Sequence, residues 1–85
     1  MRFSINYSSR SKKFLKNADK TLAKRIIGKI EKLSEDPIIP DTKTVECSKG
    51  LFRVSVGDYR ILYEIDYGNN LLGIIKIDKR PRVYD

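Results

Sequence analysis

Hydrophobic residues near the N terminus first alternate with polar ones and then change to helical spacing. In residues 2–7, aromatic and β-branched side chains alternate with polar ones, and this period of two predicts a strand. Ser8 or Ser9 can then accept a hydrogen bond from one of the free amides in the first turn of a helix. We therefore expect a short basic helix that begins after these serines and ends near residues 17–18.

A second helix follows, with apolar side chains three and four positions apart. Asp19 is the expected N-cap. The helix should run to about Glu35, because Pro37 disfavours helical backbone at the residue before it. Lysines and Arg25 occupy most of the remaining positions. The two segments together predict a helical hairpin with one apolar stripe and a cationic back. The stripe consists of Leu22, Ala23, Ile26, Ile27, Ile30 and Leu33.

The second half of the chain returns to a period of two. Residues 37–50 include two prolines and a closing glycine, and we expect them to form a loop. Turns are predicted at Gly57-Asp58 and at Gly68-Asn69-Asn70. The last strand is almost wholly apolar, which indicates an interior position in the sheet. The three strands predicted in this half are residues 51–56, 59–66 and 71–78.

The predicted order of elements is βααβββ. This order favours an α+β fold in which a helical hairpin packs on one face of a mostly antiparallel twisted sheet. A chain of 85 residues suits one compact domain. The apolar runs are far shorter than the roughly 20 residues of a membrane span, so we expect no membrane-spanning segment.

Charge and composition narrow the range of partners and sites. The chain has 18 Lys and Arg against 11 Asp and Glu, and residues 1–35 hold ten of the basic and three of the acidic side chains. This asymmetry points to a polyanionic partner, such as nucleic acid, an acidic protein or an anionic membrane. A lysine-rich helix that is only well solvated is the alternative.

The absence of histidine excludes several kinds of site. A Ser–His–Asp triad, a Cys–His zinc site and an imidazole base all require a residue that this sequence lacks. The lone cysteine, Cys47, cannot form an internal disulfide, and this is typical of a reducing cytoplasm. We expect a cytoplasmic protein with neither a metal nor a cofactor.

Basic residues fall on or beside each strand of the predicted meander. Arg53 lies on the first strand, Arg60 follows the hairpin turn and Arg80 comes just after the last strand. Adjacent strands lie about 5 Å apart, so these arginines can converge on the face away from the helices. Tyr59 and Tyr84 add aromatic planes. Guanidinium groups beside tyrosines suit a nucleic-acid backbone with an unstacked base better than a lipid headgroup.

Two segments resemble a known family. Residues 51–65, LFRVSVGDYRILYEI, are similar to the central motif of the RelE/ParE toxin superfamily. Ile77-Asp78-Lys79-Arg80 with the closing Val83-Tyr84 resembles the last strand and C-terminal signature of that family. The element order and length agree over essentially the whole chain. The resemblance implies a single toxin domain over residues 1–85 with the RelE-like microbial ribonuclease-type fold.

The resemblance implies the toxin of a prokaryotic type II toxin–antitoxin system. Members of the RelE branch cleave mRNA in the ribosomal A site, where a 2′-hydroxyl attacks the adjacent phosphate without a metal. The implied partners are the ribosome with its rRNA, mRNA, and a cognate acidic RelB-like antitoxin. Members of the ParE branch instead inhibit DNA gyrase without nuclease activity, and the motif does not separate the branches. A basic nucleic-acid-binding module without toxicity is a third alternative.

The same resemblance implies a role for four residues. Arg60 matches the arginine that binds and neutralises the scissile phosphate. Arg80 matches an arginine that acts on the phosphate and as the acid for the departing 5′-oxygen. Tyr84 matches the tyrosine that stacks on the nucleotide. Arg53 falls where members carry a basic residue, usually lysine, and is an implied phosphate or rRNA contact.

Ser55 departs from the family pattern. It falls where members carry a second lysine that is often assigned as the general base. Arginine is already protonated at neutral pH, and serine needs an activating partner, so neither residue type is an effective base. Lys49, Lys79, the surrounding rRNA or the lack of a dedicated base are the alternatives. The departure also keeps the gyrase-inhibiting branch open.

Overall fold

Two helices and five strands make up the described part of this computed structural model, which is residues 2–37 and 50–79 together with the backbone of residues 43–44. The helices are α1 (Ser9–Asn17) and α2 (Lys20–Glu35). The strands are β1 (Ser4–Tyr7), β2 (Lys43–Thr44), β3 (Leu51–Val56), β4 (Tyr59–Asp66) and β5 (Leu71–Lys79). These bounds confirm the predicted βααβββ order, to which β2 adds one short strand.

Both helices begin directly after predicted N-cap residues. The Ser8 hydroxyl accepts from the Ser11 amide at 3.1 Å, and an Asp19 carboxylate oxygen accepts from the Leu22 amide at 2.9 Å. Each cap satisfies an amide that has no carbonyl partner within its own first turn. Neither described helix has the length and the apolar character that crossing a membrane requires.

The five strands form one mixed sheet in the order β1-β5-β4-β3-β2. The three long strands pair antiparallel, and β1 pairs parallel to β5. The apolar β5 therefore lies between β1 and β4, which confirms its predicted interior position. The α+β class and the mostly antiparallel sheet are confirmed as well.

The strand β2 lies inside the segment that the sequence predicted to be a loop. Lys43 and Thr44 pair antiparallel with Arg53 and Phe52 at the outer edge of β3. A strand of two residues cannot show the alternation that identifies longer strands. The loop prediction was therefore wrong at these two positions, and the other residues from 38 to 49 lie outside the described part.

The hydrophobic core lies between α2 and one face of the sheet. Ile26, Ile30 and Leu33 of the predicted stripe are fully buried, whereas Ile27 at its edge is 37% exposed. The buried Tyr63 stacks on Phe52 and donates a hydrogen bond of 2.6 Å from its hydroxyl to the Pro37 carbonyl. This contact holds the segment after α2 against the sheet. The remaining core side chains are Val54, Val56, Ile61, Leu72, Ile74 and Ile77.

Candidate functional site

The face of the sheet opposite the helices carries polar side chains from the three long strands. Side chains alternate along a strand, so residues that flank the buried core positions of β3 and β4 project from this face. Directly paired residues have Cβ atoms about 4.5–5.5 Å apart, which brings side chains from three strands together. Two cross-strand rows define the area: Ser55–Arg60–Asp78 and Arg53–Leu62–Lys76.

An irregularity in β5 places its polar residues on this face. Leu72 and Ile74 are buried in the core, and strict alternation would also turn Lys76 and Asp78 towards the helices. The pairing shifts register between Leu62 and Tyr63, so that one additional β5 residue is inserted there. Bulges of this kind redirect the side chains that follow them. Lys76 and Asp78 consequently join the open face.

The N-cap of α1 holds the irregular part of β5 in place. Ser8 donates from its hydroxyl to the Ile75 carbonyl at 2.5 Å and from its amide to the Ile74 carbonyl at 2.9 Å. The fully buried Ser11 donates to the same Ile74 carbonyl at 3.4 Å. These contacts tie two carbonyls at the bulge to the start of a helix. A serine pair at the start of α1 thus helps to position the site.

Five side chains on the open face line a concavity of about 200 Å³. Pockets that enclose drug-sized ligands measure about 300–1,000 Å³, so this space suits one charged group of a larger ligand. Three cationic side chains against one carboxylate favour an anion there. The lining residues are Arg53, Arg60, Leu62, Lys76 and Asp78.

Asp78 connects two of the three cations. Its Oδ1 lies 3.5 Å from Arg60 Nε, and its Oδ2 lies 3.4 Å from Lys76 Nζ. The three side chains are 29–37% exposed, so water screens both ion pairs. Each pair then stabilises the fold by about 0–1 kcal/mol. The main consequence of the two ion pairs is to position the charged groups of Arg60, Lys76 and Asp78 relative to one another.

The structure brings together two of the four residues that the sequence proposed for the site. Arg53 and Arg60 both line the concavity. Arg80 and Tyr84 lie outside the described residues. The roles that the resemblance implies for all four stay predictions.

Lys76 and Asp78 are the members of the site that the sequence analysis missed. They lie in a strand that reads as almost wholly apolar, and the bulge decides which face they join. The signal available was the alternation of isoleucine with charged residues from Ile75 to Asp78. Among the described residues, no group of three Cys, His, Asp or Glu side chains could hold a metal ion.

The alternatives proposed for the base are placed differently. Lys79 pairs with Tyr59, whose ring packs against Phe14 of α1 at 5.6 Å, so both residues belong to the helix-covered face. The prediction that Tyr59 joins the arginines on the open face was therefore wrong. Ser55 pairs with Arg60 on the open face but does not line the concavity. Lys49 lies outside the described residues. Lys79, the described residue among the proposed alternatives, therefore does not line the concavity.

A second, larger depression lies on the helix side. It has a volume of about 500 Å³ and lies between the two helices and the end of the sheet. Phe14 and Tyr59 meet edge to face on its wall, and two cations, Arg10 and Lys13, also line it. This groove combines apolar surface with positive charge. Its remaining lining residues are Asn17, Ala18, Asp19, Leu22 and Ile77.

A sequence model of the ParE toxin of the type II toxin–antitoxin system, parDE, matches residues 5–84. No curated protein matches the chain.

Solved structures share the fold over nearly the whole chain. The archaeal RelE–RelB complex from Pyrococcus horikoshii OT3 matches at 24% identity and a TM-score of 0.83, covering 98% of this chain and 100% of that one. The isolated E. coli RelE toxin matches at 17% identity and a TM-score of 0.84, covering 95% of this chain and 87% of that one. The RelBE2 toxin–antitoxin complex from Mycobacterium tuberculosis matches at 20% identity and a TM-score of 0.78, covering 94% of this chain and 100% of that one. At these identities the likeness shows a common fold, and it confirms the predicted RelE-like architecture.

Proposed function

The chain belongs to the ParE toxin family of type II toxin–antitoxin systems, and on that premise we propose that it is a ribosome-dependent endoribonuclease that cleaves mRNA in the A site. The observation that carries the proposal is the convergence of Arg53, Arg60 and Lys76 around one concavity. Cations fixed on rigid strands can stabilise the charge that builds on a phosphate during cleavage. Cleavage of mRNA in the A site would inhibit translation.

The proposed reaction is attack of a 2′-hydroxyl on the adjacent phosphate, which yields a cyclic phosphate and a 5′-hydroxyl. Arg60 binds the scissile phosphate. Its contact with Asp78 engages Nε, whereas the two terminal nitrogens form the fork that matches a pair of phosphate oxygens. Arg53 adds a second cation from the neighbouring strand. Holding the 2′-oxygen in line with the leaving group lowers the barrier further.

Arg80 and Tyr84 enter the proposed site through the family resemblance. Arg80 directly follows Lys79, the last residue of β5. We assign Arg80 to protonation of the departing 5′-oxygen and to neutralisation of the phosphate. We assign Tyr84 to stacking on the nucleotide, a contact that every base can make because each has a flat aromatic face.

Inhibition of DNA gyrase without nuclease activity is the second candidate function. Two observations favour it: the matching family model is that of the ParE toxin, and Ser55 stands where the RelE branch carries a lysine. The basic face of the domain can serve a binding protein as well as an enzyme.

A cleavage assay on programmed ribosomes with an empty A site tests the proposal. We expect cuts within the A-site codon, mapped by primer extension, and intact message when the same mRNA is supplied without ribosomes. A gyrase supercoiling assay runs in parallel on the same preparation. Intact message in every lane, from a protein that arrests growth and blocks supercoiling, would reject the nuclease in favour of gyrase inhibition.

We also propose that an acidic antitoxin binds the helix-side groove. The groove offers apolar surface from Phe14, Leu22 and Tyr59 beside the cations Arg10 and Lys13. A segment with apolar side chains and acidic flanks complements both features. Solved structures that share the fold include complexes of RelE with RelB. Binding would also stabilise this small domain by mass action.

Co-expression with the antitoxin from the neighbouring open reading frame should relieve growth arrest. Charge reversal of Arg10 and Lys13 to glutamate should weaken the complex by tenfold or more, because like charges then face each other. Titration calorimetry measures the change, with Lys24→Glu on the exposed side of α2 as the matched control. If no neighbouring product binds or rescues growth, the assignment of an antitoxin partner is wrong.

A further inference from the structure

We propose that the Asp78 carboxylate accepts the proton of the attacking 2′-hydroxyl, with Arg60 and Lys76 holding it in place. The inference rests on the proposed nuclease function and supplies the base that the family pattern leaves open at Ser55. It is carried by the contents of the concavity, in which one carboxylate lies among three cations.

The chemistry of the lining side chains singles out Asp78. Arginine and lysine side chains only donate hydrogen bonds, and the leucine side chain neither donates nor accepts them. Among the described residues of this concavity, the Asp78 carboxylate is therefore the side-chain acceptor. Lys79 belongs to the other face because it pairs with Tyr59. Asp78 is also accessible to a substrate, with 36% of its side chain exposed.

Two contacts fix the carboxylate in position. One oxygen faces Arg60 of β4 at 3.5 Å, and the other faces Lys76 of its own strand at 3.4 Å. A carboxylate has about four sites that accept hydrogen bonds, so each oxygen can still accept the hydroxyl proton of a substrate. Arg60 therefore binds the phosphate beside the group that activates the attacking oxygen. A phosphate bound by Arg60 would therefore hold its 2′-hydroxyl close to the Asp78 carboxylate.

Lys76 is a positioning residue for Asp78 and a third cation for the phosphate. It lies in the row Arg53–Leu62–Lys76, so the apolar Leu62 separates two cations from β3 and β5. A phosphate seated over Leu62 would meet positive charge on both sides. The bulge in β5 thus places a lysine on the open face, whereas Ser55 of β3 contributes no charge there.

The proton and electron transfers balance in one displacement. The 2′-oxygen loses its proton to Asp78 and uses the freed electron pair to form a bond to phosphorus. The bond from phosphorus to the 5′-oxygen breaks, its electron pair stays on that oxygen, and Arg80 protonates it as assigned above. The products are a 2′,3′-cyclic phosphate and a 5′-hydroxyl. Solvent then removes the proton from Asp78 and restores the one on Arg80.

Asp78→Asn tests the proposal because it preserves shape and removes the proton acceptor. We expect single-turnover cleavage on programmed ribosomes to slow by about 10²–10⁴-fold, the usual contribution of a positioned base. Ribosome affinity should stay equal or rise, since one negative charge is lost. Glu64→Gln, an exposed carboxylate of β4 that does not line the concavity, is the matched control and should cleave at the parent rate.

A sulfur-substituted substrate separates a base from an acid. When sulfur replaces the bridging 5′-oxygen at the scissile bond, the leaving group departs without protonation. Arg80→Ala should then recover most of its rate, while Asp78→Asn and Asp78→Ser should stay slow. Recovery of both Asp78 variants would assign Asp78 to leaving-group departure and overturn the proposal.

The outcomes also separate this inference from the proposed function. A parent protein that cuts, with an Asp78→Asn variant that cuts equally fast, overturns the base and leaves the nuclease standing. A parent that leaves ribosome-bound message intact overturns both. Thermal melting of each variant close to that of the parent confirms that it is folded, as expected for partly exposed ion pairs.

Discussion

Replacing Arg60 with alanine is expected to slow single-turnover mRNA cleavage on programmed ribosomes by about 10²–10³-fold, the typical cost of removing one fixed donor to a developing negative charge. Arg60 lies on β4, the middle of the three strands that form the concavity, and pairs with Ser55 on one side and Asp78 on the other. Its loss removes a contact to the phosphate and one of the two anchors of the Asp78 carboxylate.

Two further variants make this result specific. Arg60→Lys keeps the positive charge but loses the planar fork and the Nε contact, so its rate should stay well below that of the parent. Arg2→Ala removes an exposed arginine that pairs with Glu35 and should leave cleavage unchanged. If Arg60→Ala cleaves within a factor of about three of the parent, the scissile phosphate does not bind where the concavity lies.

The activity loss can be distinguished from unfolding. The Arg60 side chain is 29% exposed, and its partner Asp78 is 36% exposed. Solvent-screened pairs of this kind contribute about 0–1 kcal/mol to stability. The core of α2 and the sheet does not include Arg60. Thermal melting should therefore shift only slightly in the Arg60 variants, and a large shift would invalidate the comparison of rates.

Local patterns explain why much of the fold was predictable. The caps Ser8 and Asp19 act within three residues of themselves, so the helix starts could be read from neighbouring residues. The strands β3 and β4 alternate over six and eight residues, and β5 is identified as an apolar run bounded by turns. The parallel pairing of β1 with β5 joins residues more than 60 positions apart and has no local signal. The strand β2 also lacks a local signal, because two residues are too few to show alternation.

A site residue was predictable only where alternation within its own strand shows which face of the sheet its side chain occupies. Arg53 alternates with the buried Val54, and Arg60 precedes the buried Ile61, so both could be placed on the open face. Lys76 and Asp78 depend on the bulge opposite Leu62, which arises from the pairing of two strands. Alternation counted from the buried Leu72 and Ile74 assigns them to the wrong face, because the bulge interrupts it at Ile75. This is the physical reason why the proposed base was missed.

Raising the salt concentration from 50 to 200 mM is expected to weaken binding to programmed ribosomes by about 10³–10⁵-fold, the range for six to ten phosphate contacts. The reason is the number of exposed cations on the two helices, which would release counterions from rRNA on binding. A message with a 2′-O-methyl group at the scissile nucleotide blocks attack, so that affinity can be measured by anisotropy of a labelled toxin. The exposed helical cations are Arg10, Lys12, Lys13, Lys16, Lys20, Lys24, Arg25 and Lys32.

The slope of this salt dependence separates diffuse attraction from the chemistry of the concavity. Replacing Lys12 and Lys16 with glutamine should lower the slope by about one for each lost phosphate contact. The single-turnover rate at saturating ribosome should stay at the parent value, because neither residue lies on the open face of the sheet. Arg60→Ala should behave in the opposite way, with a small change in slope and a large loss of rate. Affinity that stays constant between 50 and 200 mM salt would mean that the helical cations are merely solvated, and the ribosome would then have to recognise another surface.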